Sequence, residues 1–241
     1  MMNKLINGAL KLGLSFSDRQ IGQFEAYYRE LTDWNQRVNL TAITDYDEVQ
    51  VRHFLDSLTV ISAIRSADRA WPLKVIDVGS GAGLPGLPLK IALPQIHLTL
   101  LEATAKKTKF LDYLVRQLGL KDVTVVTGRA EDAARDPTRR ESFNIAVSRA
   151  VAPLPVLAEL ALPFCAVGGY LIAQKKGDIE EEVGQSRKAI ATLGGFLSEI
   201  RPVELEGLKD NRMLVIIDKV KPAPPAYPRR PGIPARRPIK D

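Results

Sequence analysis

From Leu73 onward the chain alternates between short β-branched, near-continuously apolar runs and stretches of helical period. The runs fall at residues 74–78, 98–101, 123–127, 144–147, 170–173, 196–203 and 213–220, with helical stretches at 87–93, 106–118, 154–162 and 179–193. Apolar strands separated by helices imply a mostly parallel sheet covered on both faces. The last two runs are joined by residues 204–211, too short for a crossover helix, so that pair is predicted to be antiparallel. The pattern predicts an α/β, Rossmann-like, seven-stranded mostly parallel sheet with an antiparallel terminal hairpin, and contains no internal repeat.

The first seventy residues carry no strand signal. Leu5, Leu10, Leu12 and Leu14 fit a short amphipathic helix, and Ser15-Phe16-Ser17-Asp18 reads as the start of a second. Ile21, Phe24, Tyr27, Tyr28 and Leu31 then recur at helical spacing, which predicts core rather than a base-stacking platform. A third helix is predicted over residues 45–65, after a polar break at 34–41. The expected organisation is a helical N-terminal cap at 1–70, a core domain at 71–220 and a basic tail at 221–241.

Charge matters once it is located. The net formal charge is +6, yet residues 218–241 hold seven Lys and Arg against two Asp, together with seven of the sixteen prolines. Proline cannot continue a helix or a central strand, so this tail is predicted to be extended and solvated. It is either a solubility tail or an arm that neutralises phosphates. No apolar stretch approaches the ~20 residues of a membrane span, and the N-terminus lacks a secretory pattern. A single cysteine excludes an internal disulfide, and two histidines leave too few ligands for a histidine-rich metal site. The expected setting is the cytoplasm, with no membrane and no metal.

The strongest local signal is Asp77-Val78-Gly79-Ser80-Gly81-Ala82-Gly83-Leu84-Pro85-Gly86, a strand running through a glycine loop into a helix. In doubly wound sheets a ligand sits at such a loop, beside the switch in strand order. Two ligands compete. Gly81-x-Gly83-x-x-Gly86, with Glu102 twenty-one residues after Gly81, satisfies the dinucleotide pattern of a nicotinamide enzyme. Alternatively, Asp77 before the first glycine, with Glu102 on the ribose, suits a class I methyltransferase binding S-adenosyl-L-methionine. The acid before the glycines and the seven-strand pattern with its terminal hairpin favour the methyl donor.

Six segments together closely resemble the bacterial RsmG (GidB) family, donor-dependent guanine-N7 methyltransferases of 16S ribosomal RNA. They are Trp34-Asn35…Asn39-Leu40-Thr41-Ala42-Ile43, His53-Phe54-Leu55-Asp56-Ser57-Leu58, the glycine loop, Gly128-Arg129-Ala130-Glu131, Ser148-Arg149-Ala150 and Tyr227-Pro228-Arg229-Arg230-Pro231-Gly232-Ile233-Pro234. The glycine loop is common to many methyltransferases; the HFLDSL and YPRRPGIP segments are far more specific. The resemblance implies that Asp77, Gly79, Gly81, Gly83, Leu84, Glu102, Ala130, Glu131 and Arg149 hold the donor. Arg149 is also the expected catalytic residue, its donor fork suited to a phosphate or to guanine's acceptor edge; its bland alternative is an ion pair to a nearby acid. Lys106, Lys107, Lys176, Arg229 and Arg230 are the cations expected on RNA. The expected partner is 16S rRNA, in the small ribosomal subunit or its assembly intermediate, and the chain is expected to act as a monomer. A non-catalytic RNA-binding assembly factor would share the same composition.

Guanine N7 carries an in-plane lone pair and no proton, so the reaction asks for alignment rather than a general base. His53 is accordingly expected to be a buried hydrogen-bonding residue, and His97 a structural one. Cys165, amid Leu162-Pro163-Phe164 and Ala166-Val167, is expected to be a small core residue. Asn35 and Asn39 either cap helices or border the substrate entrance.

Overall fold

The computed structural model describes residues 2–65, 72–205, 207 and 210–240. The expected boundary between residues 70 and 71 lies outside them. The chain begins with α1 (Asn3–Lys11) and α2 (Asp18–Asn35). Ser17 caps α2 by accepting from the Gln20 N–H while the Gln20 side chain accepts from the Ser17 N–H, a capping box. The third helix starts at α3 (Tyr46–Glu48) but departs from regular geometry. It continues as a π-helical turn at Val49–Leu55, then α4 (Asp56–Leu58) and a 3₁₀ turn at Thr59–Ala63.

Seven strands follow: β1 (Lys74–Val78), β2 (His97–Glu102), β3 (Val123–Thr127), β4 (Phe143–Arg149), β5 (Cys165–Lys176), β6 (Gly195–Val203) and β7 (Arg212–Lys219). Between them lie α5 (Gly86–Ala92), α6 (Ala105–Gln117), α7 (Ala130–Ala133), α8 (Leu154–Ala161) and α9 (Glu180–Thr192), with α10 (Ile233–Arg236) in the tail. The sheet order is β3-β2-β1-β4-β5-β7-β6; β1 to β5 are parallel, and β7 is antiparallel to both neighbours. Order reverses between β1 and β4, which opens a crevice at their carboxyl ends. Among the described residues no helix is long and apolar enough to cross a membrane.

Strand side chains alternate between faces, and here the alternation builds two cores. One holds Val75, Leu98, Leu100, Ile145, Val147, Ile172 and Leu214 together with Leu5, Phe24, Tyr27, Leu31 and Phe54. The N-terminal helices thus cover one face of the sheet alongside α5 and α6. The other core sets Ile76, Val78, Ala146, Leu171, Val215 and Ile217 against α8 and α9, and includes Cys165. Cys165 is fully buried, its thiol pushed up to about 12 by desolvation. The same alternation aims Asp77, Arg149, Gln174 and Arg212 at the N-terminal helices, because each shares parity with residues of the first core.

The tail differs from expectation. Many of its residues are exposed, but it is docked on the domain and not a free arm. Arg140 donates to the carbonyls of Tyr227, Ala223 and Pro224, and Arg135 to that of Pro228. A proline-rich chain offers free carbonyls, and arginines distant in sequence satisfy them.

Candidate active site

β1 ends at Val78, and the backbone turns at once: the N–H groups of Gly79 and Ser80 both donate to the Leu101 carbonyl, at 2.8 and 3.1 Å. Gly79 has φ +78, and a Cβ there would lie 2.5 Å from Val151 Cγ2. Only glycine serves at that position. Above the loop lies a cavity of about 780 Å³ over the tips of β1, β2 and β4, a size ordinary for small-molecule sites.

On the β2 side stands Glu102, the last residue of its strand. Its Oε2 accepts from the Gly81 N–H at 3.0 Å and its Oε1 from the Thr104 N–H at 2.8 Å. Ala130 and Glu131, opening α7, continue this wall, and Glu131 Oε1 accepts from the Gly232 N–H of the tail at 3.0 Å. Gly79, Gly81 and Leu84 also line the cavity. Asp77 does not. It is fully buried beneath the loop, with Oδ2 accepting from the Gly86 N–H at 2.9 Å and Oδ1 unpartnered. Desolvation pushes its carboxyl up to about 7. Strand parity explains this placement: Asp77 faces α5 with Val75, beneath the loop and off the cavity wall. Gly83 is likewise off the wall, packed against Leu87 and Tyr27, whose hydroxyl donates to the Ala82 carbonyl at 2.6 Å.

On the β4 side Arg149 lines the cavity and is at the same time ion-paired. Its Nη1 donates to Asp56 Oδ2 at 3.0 Å and to the Arg52 carbonyl at 3.2 Å. Gln174 Nε2 donates to the Asp56 carbonyl at 2.7 Å, and Arg212 Nε lies 3.6 Å from Asp56 Oδ1. Three neighbouring strands thereby hold the HFLDSL segment by its polar groups. Arg149 draws on carbonyls at the end of the π-helical turn, which accounts for the irregular third helix. The signal for Asp56 was present in the sequence, an acid inside an otherwise apolar segment, but its partners are 93 and 156 residues away.

His53 lines the cavity beside Leu40 and Thr41. Its Nε2 lies 2.7 Å from Thr41 Oγ1, while Nδ1 lies 3.1 Å from the Arg52 carbonyl. A carbonyl can only accept, so Nδ1 carries the proton, and Nε2 of the neutral ring accepts from the Thr41 hydroxyl, which itself accepts from the Ile43 N–H. Burial, reinforced by the Arg149 charge, lowers the imidazole to about 4. It is neutral and engaged, as a positioning histidine should be. Asn35 shapes the adjoining turn: its Oδ1 accepts from the N–H groups of Leu40 and Thr41. Asn39 is exposed beside it, and His97 opens β2 in the open.

Of the expected RNA cations, Lys107 lines the cavity, while Lys106, Lys176 and Arg230 are exposed. Arg229 is instead bound to Glu159. The cavity wall also includes residues not expected there from the sequence, among them Thr41 and Arg129, which both lie inside segments that carry the resemblance.

A methyl donor with a ribose and a cationic centre suits this cavity on two observations. A Cβ at Gly81 would meet only the Gly79 carbonyl, at 3.9 Å, so the loop backbone is open to a ligand. The Glu102 and Glu131 carboxylates lie along one wall. A dinucleotide suits it poorly, because the Gly81 N–H that a pyrophosphate would need already donates to Glu102.

Comparison with known proteins agrees. Ribosomal RNA small subunit methyltransferase G of Dehalococcoides mccartyi (strain CBDB1) is 52% identical over 238 residues, covering 99% of this chain and 100% of that protein. The protein of the same name from Roseiflexus castenholzii (strain DSM 13941 / HLO8) is 51% identical over 238 residues, with the same coverage. Among solved structures, a mutant of MtNAS in complex with S-adenosylmethionine aligns with a TM-score of 0.54 at 15% identity, covering 91% of this chain and 78% of that one. Ribosomal protein L11 methylase from Lactobacillus delbrueckii subsp. bulgaricus gives a TM-score of 0.51 at 14% identity, covering 70% and 79%. Those two likenesses concern the fold. The model of the GidB family, described as rRNA small subunit methyltransferase G, matches residues 20–212, and the chain belongs to that family.

Proposed function

We propose that this chain methylates N7 of one guanine in 16S rRNA of the small ribosomal subunit, with S-adenosyl-L-methionine as donor. The observation that carries the reading is the cavity itself, with ribose-binding acid on one side of β1 and Arg149 on the other, in a chain of this family. When bound, the donor supplies a methyl group on a sulfonium. Glu102 and Glu131 are the residues to hold it, with Gly79, Gly81, Leu84 and Ala130 shaping the wall.

The acceptor atom has its lone pair free and loses no proton. This chain's residues therefore have to bind, align and exclude water. Alignment of that kind contributes about 7–11 kcal/mol to well-oriented reactions. The side chains around Arg149 are suited to it. His53 is held neutral with both nitrogens engaged, so it orients and does not abstract. Arg149 presents donors that suit O6 of guanine, beside the reacting nitrogen, and so can orient the base while the N7 lone pair stays free. Lys106, Lys107, Arg129 and Arg230 supply charge for the flanking phosphates. The target base leaves its stack to reach the cavity.

Small subunits from cells lacking this protein, incubated with it and tritium-labelled donor, are expected to incorporate label as 7-methylguanosine, read by nuclease digestion and mass spectrometry. Binding of RNA without label would point to an assembly factor, and label on another base would overturn the assignment.

A further inference from the structure

Charge alone directs the basic tail to RNA, yet its course brings it to the donor's side of the cavity. The Arg229 backbone N–H donates to Glu159 Oε1 at 2.8 Å, its Nε to the same oxygen at 2.9 Å and its Nη2 to Oε2 at 2.6 Å. Glu159 is fully buried in α8, an acid in the otherwise apolar Leu154–Ala161 helix. Three residues on, Gly232 turns with φ +83 and gives its N–H to Glu131. Pro231, Gly232, Pro234 and Ala235 then form part of the cavity wall.

We propose that residues 231–235 are a built-in wall of the donor site, and that Arg229 and Glu159 are positioning residues that latch it there. The inference rests on the cavity being the donor's. This fork of hydrogen bonds fixes the tail's register to α8. That register brings Gly232 to the carboxylate of Glu131, and Pro231 stiffens the intervening backbone. Without the wall, the donor would face solvent on that side, and Glu131 would lose the amide that orients it.

The decisive variant is the chain ended after Arg230, which keeps the latch and the carbonyl contacts of Arg135 and Arg140. Titration with S-adenosylhomocysteine, without RNA, is expected to show a dissociation constant raised by at least about tenfold, with the thermal midpoint lowered by no more than about 4 °C. In the full chain, Arg229→Ala is expected to raise KM for the donor while kcat at saturating donor stays within about twofold, and Arg229→Lys to recover part of the loss. A purely structural tail would lower kcat through a smaller active fraction and leave KM unmoved. An RNA arm would raise KM for the subunit alone. Either result, or equal S-adenosylhomocysteine affinity in the two chains, overturns the proposal. No binding by the full chain would overturn the reading of the cavity first.

Discussion

Asp77 and His53 show how burial sets charge one residue at a time, and they pull stability in opposite directions. Asp77 is raised to about 7 in the fold, so the unfolded chain ionises it first. Its contribution is complete below pH 4 and lost as pH rises towards 7. His53 is lowered to about 4, so the unfolded chain protonates it first. Its contribution is complete above about pH 6.5 and lost as pH falls to 4. The two slopes amount to about 4 and about 3 kcal/mol, and they largely offset one another across pH 4–6.5. Asp77→Asn keeps an oxygen for the Gly86 N–H and removes the first slope. Its stability relative to the native chain is expected to improve steadily from pH 4 to 7 in urea unfolding. His53→Gln keeps an acceptor for Thr41 and should gain on the native chain in the reverse direction, as pH falls. Parallel curves for either variant would mean that the group does not titrate differently on unfolding.

At the scale of elements, the π-helical turn and the strand tips are one construction. Arg149, Gln174 and Arg212 come from β4, β5 and β7, share one face of the sheet, and converge on Asp56. Arg149→Ala leaves that buried carboxylate with only the more distant Arg212 and is expected to cost about 3 kcal/mol. Adding Asp56→Asn should restore much of the stability, because the uncompensated charge is gone, while methyl transfer stays low. A double-mutant cycle reads the difference: coupling of about 1.5–3 kcal/mol is expected, and none would mean that the pair does not hold the turn. Activity that returned together with stability would confine Arg149 to architecture. The strands, the glycine loop and Glu102 were legible in the sequence because periodicity and turn chemistry are local. The convergence on Asp56 was not, because it depends on register across three strands. The place of Asp77 beneath the loop was legible too, through the parity that Val75 and Ile76 supply, but glycine spacing alone does not reveal it. The tail was misread because proline rules out regular hydrogen bonding within a segment, and says nothing about arginines elsewhere that bind its carbonyls. Glu159 alone in an apolar helix announced a buried partner, without naming it.

For the whole molecule, the question is whether the N-terminal helices are an attachment or part of the fold. Leu5, Phe24, Tyr27 and Leu31 are fully or almost fully buried in the same cluster as Val75, Leu100 and Ile145. Phe24 and Tyr27 also meet Phe54, with ring centroids 5.2 and 5.0 Å apart. Each such side chain contributes about 1.5–3 kcal/mol when buried, so the four together rival the ~5–15 kcal/mol by which a typical domain is stable. Deleting residues 1–36 is therefore expected to abolish cooperative unfolding, not to release a smaller working enzyme. The milder Tyr27→Phe tests the link between that cover and the site. It keeps the ring in place but removes the donor to the buried Ala82 carbonyl, at a cost of about 1–3 kcal/mol. Since Ala82 lies in the glycine loop, S-adenosylhomocysteine affinity should fall with it. A truncated chain that unfolds in a single sharp transition, or a Tyr27→Phe chain with native affinity, would show that the sheet and its loop stand without the helices laid over them.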